Sequence, residues 1–96
     1  MRFEWDEKKN AINRRKHGLD FSEAKEMFTG SPFIPRVDAR EEYGEIRWFG
    51  LGLIGGIVAA IVFTYEYDID TVRVISLRRA GKNEQNEFYK EAFRSE

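Results

Sequence analysis

A single histidine and several cations near the N-terminus are the residues of this chain best suited to proton transfer and phosphate binding. His17, the only histidine, directly follows Lys16. Lys9, Asn13 and Lys16 are spaced by three or four residues, so a helix would place them on or near one face. Imidazole exchanges protons near neutral pH, and lysine ammonium groups bind phosphate. The pattern predicts an anion-binding stripe beside His17; the alternative is a solvated helix face whose histidine caps the helix end.

Two adjacent arginines form a second group of candidates near the other end of the chain. Arg78 and Arg79 follow a predicted strand, and a guanidinium offers a planar fork of donors that fits phosphate. Because side chains alternate along a strand, we expect the two arginines to point to opposite faces of the sheet. The structural alternative is a role in surface ion pairs, for example with Glu84. Arg47, at the start of another predicted strand, is a lesser candidate for contact with nucleic acid.

The composition indicates a folded domain without thiol chemistry. Hydrophobic residues make up 42% and aromatic residues 15% of 96 residues, which favours one globular domain spanning 1–96. The chain has no cysteine and one histidine. Disulfides are therefore excluded, and neither a metal site nor a cofactor is expected.

Positive charge is concentrated at the two ends of a chain whose net charge is −1. Residues 1–20 and residues 72–96 each carry six Lys or Arg against four acids, whereas residues 21–71 carry four against nine. If the two ends meet in space, they form a basic surface suited to a phosphate backbone or an acidic partner. Two solvated helix faces are the alternative.

The uncharged stretch 49–64 raises the question of a membrane segment. It is shorter than the roughly 20 residues that a spanning helix needs, and four glycines interrupt it. Two core strands joined at Gly55-Gly56 explain it better. The charged N-terminus also lacks the apolar region of a secretory signal, so we expect a cytoplasmic protein.

Hydrophobic spacing and capping residues predict an α+β domain. Asp6 is a predicted N-cap and Gly18 a predicted helix terminator, while Asp20 and Glu23 have capping-box spacing. We predict helices at 7–17, from 20 to about 29 and at 82–94, and strands at 2–5, 33–37, 46–53, 57–65 and 71–77. An acidic loop is expected at 38–45 and a turn at 68–70.

Both ends of the chain carry a pattern that resembles a known family. The first part runs from Phe3-Glu4-Trp5-Asp6 through Lys9 and Asn13 to Lys16-His17-Gly18, and the second is Ile75-Ser76-Leu77-Arg78-Arg79-Ala80 with Glu84 and Tyr89. Together they resemble the BrnT family, the toxin half of a bacterial type II toxin–antitoxin pair. The resemblance implies a RelE-like ribonuclease fold: an antiparallel sheet with two N-terminal helices and one C-terminal helix.

The same resemblance implies cleavage of RNA without a metal, with His17, Arg78, Arg79 and Tyr89 as catalytic residues. Lys9, Asn13, Lys16 and Arg47 would bind the RNA. Spacing between Tyr89 and Phe93 makes core packing an equal alternative for the tyrosine. The expected partner is a cognate BrnA-like antitoxin, which alone contacts operator DNA, in an assembly based on a homodimer or a heterotetramer with the antitoxin. A non-catalytic protein- or nucleic-acid-binding module of the same fold is the alternative function.

Overall fold

The computed structural model describes residues 1–38, 45–66 and 70–94 and contains an α+β domain. Most of the predicted acidic loop and of the turn before the last strand lies outside these residues. The elements in chain order are β1 (Arg2–Glu4), α1 (Glu7–His17), a 3₁₀ helix (Phe21–Phe28), β2 (Phe33–Val37), β3 (Trp48–Ile54), β4 (Ile57–Glu66), β5 (Thr71–Arg79) and α2 (Lys82–Ala92).

The five strands form one mixed sheet in the order β1-β5-β4-β3-β2. The prediction of a purely antiparallel sheet is wrong, because β1 pairs with β5 in parallel, with Phe3 opposite Val72. The other three pairings are antiparallel. Alternating side chains identified β1 as a strand, but alternation carries no information about the direction of a neighbour that is 69 residues away.

Helices cover both faces of the sheet. The 3₁₀ helix buries Phe21, Ala24 and Met27 against one face, which also receives Phe63 and Val72. On the other face α2 inserts Phe88 into a second apolar cluster formed with Leu51, Val58 and Ala60.

The apolar hairpin is interior because it lies between these two layers. Residues 58–61 are all less than 5% exposed, whereas Ile57 at the hairpin end is 47% exposed. Sheets that are covered on both sides need continuous apolar runs, which explains a stretch that resembles a membrane segment in the sequence. In the described part of the chain, no helix is long and apolar enough to cross a membrane.

Local signals fix the N-terminal helices as the sequence predicts. The Asp6 carboxylate accepts hydrogen bonds from the N–H groups of Lys8 and Lys9, and Gly18 ends α1 with a φ of 73°. The capping box between Asp20 and Glu23 is also present, but it begins a 3₁₀ helix. Side-chain caps therefore set where both helices begin.

A bulge in β5 changes which side chains share a face. Phe63 pairs with Val74 while Val62 pairs with Ser76, so Ile75 is left without a partner on β4. Simple alternation would separate Leu77 from Val72 and Val74, but the extra residue places Leu77 in the same buried cluster. The strand also extends to Arg79, so Arg78 and Arg79 lie within it rather than after it.

Candidate functional site

An open groove lies between α1 and the bulged part of β5. Its lining, which we call the α1–β5 groove, consists of Lys9, Ile12, Asn13, Lys16, His17, Ile75 and Ser76. Lys9 and Lys16 are exposed and His17 is half-buried. The helix thus brings four of the predicted site residues to one side, as their spacing indicated.

A smaller pocket adjoins this groove and shares Lys9 and Ile75 with it. We call it the Lys9 pocket; its remaining lining is Asp6, Glu45, Arg47, Arg73 and Val74. Its volume of about 60 Å³ suits a small anionic group rather than a nucleobase. The predicted residue Arg47 therefore lies beside Lys9, 38 positions away in sequence.

Three cations and two carboxylates line the Lys9 pocket, and the carboxylates have local partners. Asp6 accepts the N–H groups of Lys8 and Lys9 at 2.8 and 3.2 Å. These bonds, that of Lys9 foremost, hold the pKa of Asp6 below its ordinary value. Glu45 accepts from Nε of Arg47 at 3.4 Å. Among the lining residues themselves, cations outnumber carboxylates by one.

Arg73 belongs to this cluster and was missed by the sequence analysis. It occupies the β5 position between the buried residues Val72 and Val74, which face the core. The available signal was a single arginine between two valines, at an outward position of the predicted strand 71–77. This signal identifies Arg73 as a site residue only if Lys9 is known to lie next to it, and spacing along the chain cannot show that.

Asn13 lies at the floor of the groove and is 6% exposed. Its amide nitrogen donates to the carbonyl oxygens of Leu77 at 2.8 Å and Leu19 at 3.0 Å, and its amide oxygen accepts the N–H of Leu77 at 3.2 Å. Because β1 pairs with β5 only from Thr71 to Arg73, this edge of Leu77 has no neighbouring strand. In the structure, the Asn13 side chain therefore pairs with that edge.

A second buried asparagine, also absent from the sequence analysis, fixes α1 against the 3₁₀ helix. Asn10 is 1% exposed, and its amide oxygen accepts the N–H of Phe21 at 2.8 Å. Its amide nitrogen donates to Glu7 at 3.2 Å and to Asp20 at 3.3 Å. Hydrogen bonds from Ser22, with further ones from Arg14 and Asn10, hold the pKa of Asp20 well below its ordinary value. The groove therefore has a rigid helical wall.

Arg78 lies away from the groove, on the face of the sheet that α2 covers. It pairs with Ala60 of the α2-side cluster, and its two terminal nitrogens donate to the Glu84 carboxylate at 2.8 and 2.9 Å. Glu84 also accepts the N–H of Gly81 at 2.8 Å. The Arg78 guanidinium is the main cause that lowers the pKa of Glu84 to about 2. The structure thus contains the ion pair between Arg78 and Glu84 that the sequence offered as the alternative to phosphate binding.

A second ion pair joins the sheet to α2 on the same face. Arg36 of β2 binds Glu87 of α2, and its guanidinium carbon lies 5.1 Å from the centre of the Phe49 ring. Arg36 and Arg78 thus hold successive turns of the same helix. The attachment of α2 to the sheet explains the positions of both arginines.

The two other predicted catalytic residues also lie outside the groove. Arg79 is exposed and points to the face opposite Arg78, as strand alternation predicted. Tyr89 is 47% exposed on α2, where its ring stacks on Phe93 with centroids 5.9 Å apart and an interplanar angle of 21°. Five of the eight predicted site residues therefore meet at the groove and the Lys9 pocket, and Arg78, Arg79 and Tyr89 do not.

The described residues contain no cluster of three His, Asp or Glu side chains placed to hold a metal ion. The groove and the adjoining Lys9 pocket together combine ammonium and guanidinium groups, which bind and neutralise phosphate, with an imidazole that exchanges protons. These cationic groups can bind a polyanionic chain, and the imidazole can act on a phosphodiester bond held beside His17.

Comparison with known proteins assigns the chain to a family. Comparison with curated proteins gives no significant match. A family model described as "Ribonuclease toxin, BrnT, of type II toxin-antitoxin system" matches residues 5–84. This span contains all the lining residues of the groove and the Lys9 pocket and ends before Tyr89. Since it covers most of the chain, the protein belongs to the BrnT family of ribonuclease toxins.

Proposed function

We propose that the protein is an endoribonuclease toxin that cleaves RNA in the α1–β5 groove without a metal ion. The observation that carries the proposal is the convergence of Lys9, Lys16, His17 and Arg47 at two adjoining pockets, within the span that matches the family of ribonuclease toxins. The groove offers positive charge and a proton-transfer group at the same place.

The proposed reaction is an internal transesterification. The ribose 2′-oxygen attacks the adjacent phosphorus and loses its proton to a base, while the bond to the 5′-oxygen breaks and that oxygen gains a proton from an acid. The products are a 2′,3′-cyclic phosphate and a free 5′-hydroxyl, so no water or oxidant is consumed. Catalysis requires cations around the crowded phosphorus and groups that move the two protons.

The side chains of the groove and of the Lys9 pocket divide between these tasks. Lys9, Arg47 and Arg73 surround the small pocket and would bind a phosphate and stabilise its added negative charge. His17 and Lys16 lie along the groove and would move protons or hold the neighbouring phosphate. Asn13 supports this arrangement from below by holding α1 to β5.

We leave Arg78, Arg79 and Tyr89 out of the reacting set. The Arg78 guanidinium is bound to Glu84 on the other side of the sheet, and Tyr89 stacks on Phe93. Arg79 lines a different pocket, with Leu19 and Ile57. Their roles in attaching α2 and in forming other surfaces account for their positions.

The wider biology of the proposal follows from the family. Type II toxin–antitoxin membership implies an antitoxin partner. We propose that a BrnA-like antitoxin neutralises the nuclease and that the toxin meets operator DNA only through it. We further propose a RelE-like fold for the single domain, a cytoplasmic location, and a homodimer or heterotetramer with the antitoxin; the α+β architecture is consistent with this fold.

The direct test is incubation of the purified protein with end-labelled RNA in EDTA, with analysis of the product ends. We expect cleavage in EDTA that leaves 2′,3′-cyclic phosphates, and slower cleavage by a His17→Ala variant. An Arg15→Ala variant removes an exposed neighbouring cation that lines neither pocket and should cleave at the parental rate. Activity that appears only after Mg²⁺ is added would contradict metal independence.

A non-catalytic binding module is the second candidate, and one observation favours it. Three of the four residues predicted as catalytic lie outside the groove, so fewer reacting groups converge than the family resemblance implied. This candidate predicts that the protein binds RNA without cutting it, either alone or with translating ribosomes, and that its expression does not arrest growth. Growth arrest lost in the His17→Ala variant would exclude it.

A further inference from the structure

A third pocket lies on the face of the sheet that carries the 3₁₀ helix. Its apolar lining is Leu19, Ile54, Ile57 and Ala59, and Arg79 and Glu23 stand among these residues. We call it the Arg79 pocket. Its volume of about 280 Å³ exceeds that of the Lys9 pocket several-fold and admits a whole side chain rather than a small ion.

The Arg79 pocket holds one cation, Arg79, and one carboxylate, Glu23, which do not pair with each other. Within residues 1–38, 45–66 and 70–94, no hydrogen bond or ion pair engages the Arg79 guanidinium. Glu23 uses its carboxylate to accept the N–H of Asp20 at 2.8 Å, and the nearby Glu26 accepts the N–H of Gly55 at 2.9 Å. An exposed Ile57 beside an arginine that has no hydrogen-bond partner in the described residues can therefore receive an apolar group and a carboxylate from outside.

The Arg79 pocket is continuous along the chain with the α1–β5 groove. The groove ends at His17, and the pocket begins at the next residue, Gly18. A peptide anchored in the pocket would need to cross only the end of α1 to reach His17 and Lys16. Occupation of the pocket can therefore place a segment over the groove.

The β2 edge of the sheet is a poorer docking site for an extended partner. Asp38 donates to the carbonyl of Arg47, so in the antiparallel β2–β3 pair the N–H groups of alternate residues, Phe33, position 35 and Val37, point outward. Position 35 is Pro35, which has no N–H. A strand added to β2 would lose its central hydrogen bond, which disfavours docking there.

We infer that the Arg79 pocket is the anchor site for the antitoxin, through a segment that presents a branched apolar side chain next to an Asp or Glu. The apolar side chain fills the space beside Ile57, the carboxylate pairs with Arg79, and the chain that follows covers the groove at His17. The inference rests on the proposed pairing of this toxin with an antitoxin. It does not depend on which residues cleave RNA.

The test measures affinity for the purified antitoxin encoded in the same operon, by isothermal titration calorimetry. Arg79→Glu reverses the charge, and Ile57→Ser removes a half-exposed apolar contact. We expect each variant to bind at least tenfold more weakly than the parent. Lys82→Glu and Val37→Ser are the matched controls, since both side chains are exposed and line none of the three pockets; they should bind as the parent does.

Separate readouts distinguish failure of this inference from failure of the proposed function. Circular dichroism verifies that each variant is folded, and cleavage by Ile57→Ser without antitoxin should equal that of the parent. Parental antitoxin affinity in either pocket variant would overturn the inference. A parent that dimerises alone and an Ile57→Ser variant that does not would overturn it too, because the occupant would be a second copy. An inactive parent that still shows the affinity losses would contradict only the nuclease.

Discussion

Lys9 lines both the α1–β5 groove and the Lys9 pocket, and it is the one cation among the described residues that does so. Replacement by methionine keeps the length of the side chain and removes the charge. We expect Lys9→Met to lower kcat on the order of a hundredfold, because a cation directed at the developing charge is lost. Lys8→Met, at the neighbouring exposed position, is the control and should keep the parental kcat.

The ion pair between Arg78 and Glu84 predicts how stability depends on pH. The pKa of Glu84 in the folded protein, about 2, lies below its ordinary value of 4.5. The pair therefore contributes stability above pH 4.5, and this contribution is lost as the pH falls towards 2. We expect Glu84→Gln to reduce the free energy of unfolding by about 1 kcal/mol at pH 7, a figure discounted for solvent screening, and by less at pH 3.

Denaturant unfolding of parent and variant at the two pH values measures this difference. The matched variant Glu91→Gln alters a more exposed ion pair with Arg94, whose side chain is 66% exposed, and should change little at either pH. A Glu84→Gln effect of equal size at pH 7 and pH 3 would show that the charge of Glu84 is not the source of the stabilisation.

At the scale of elements, Asn13 replaces the strand that is missing beside Leu77. Asn13→Ala would leave a buried N–H and a buried carbonyl oxygen of Leu77 without partners. We expect a loss of about 3 kcal/mol in the free energy of unfolding, measured with denaturant. Lys16→Ala, on the exposed side of the same helix, should cost less than about 0.5 kcal/mol. Equal stabilities of the Asn13→Ala variant and the parent would refute this role for the asparagine.

The same elements show which features could be predicted from the sequence. Capping at Asp6 and Asp20, the end of α1 at Gly18 and the hairpin at Gly55-Gly56 are local, so neighbouring residues specify them. The parallel partner of β1 and the bulge at Ile75 depend on residues far away along the chain, and alternation alone placed Leu77 on the wrong face.

The candidate site was predictable to the extent that it lies on one helix. The spacing of Lys9, Lys16 and His17 along α1 was sufficient to group them. Arg73 joins them only through tertiary packing, and Asn13 looked like a surface residue because the chain around it is polar. Side-chain chemistry also could not decide between phosphate and Glu84 as the partner of Arg78.

For the whole molecule, the net charge is close to zero, but positive side chains outnumber carboxylates at the groove and the Lys9 pocket. Lys9, Lys16, Arg47 and Arg73 come from three separate parts of the chain and line adjoining pockets of a protein whose net charge is −1. We expect RNA affinity to fall with salt, with a slope of about +2 to +3 in log Kd against log salt concentration, as for three or four phosphate contacts on a single strand. Fluorescence anisotropy with a short labelled RNA measures the slope, and a value near zero would exclude phosphate binding in the groove.

The central claim is that RNA is cut in the groove and not on the α2 side of the sheet. The most direct measurement compares the kcat of parent, His17→Asn and Tyr89→Phe proteins on one labelled RNA in EDTA, with folding verified by circular dichroism. We predict a loss of at least tenfold for His17→Asn and a parental kcat for Tyr89→Phe. The reverse result, an active His17→Asn and an inactive Tyr89→Phe, would contradict the assignment and place the reaction on α2.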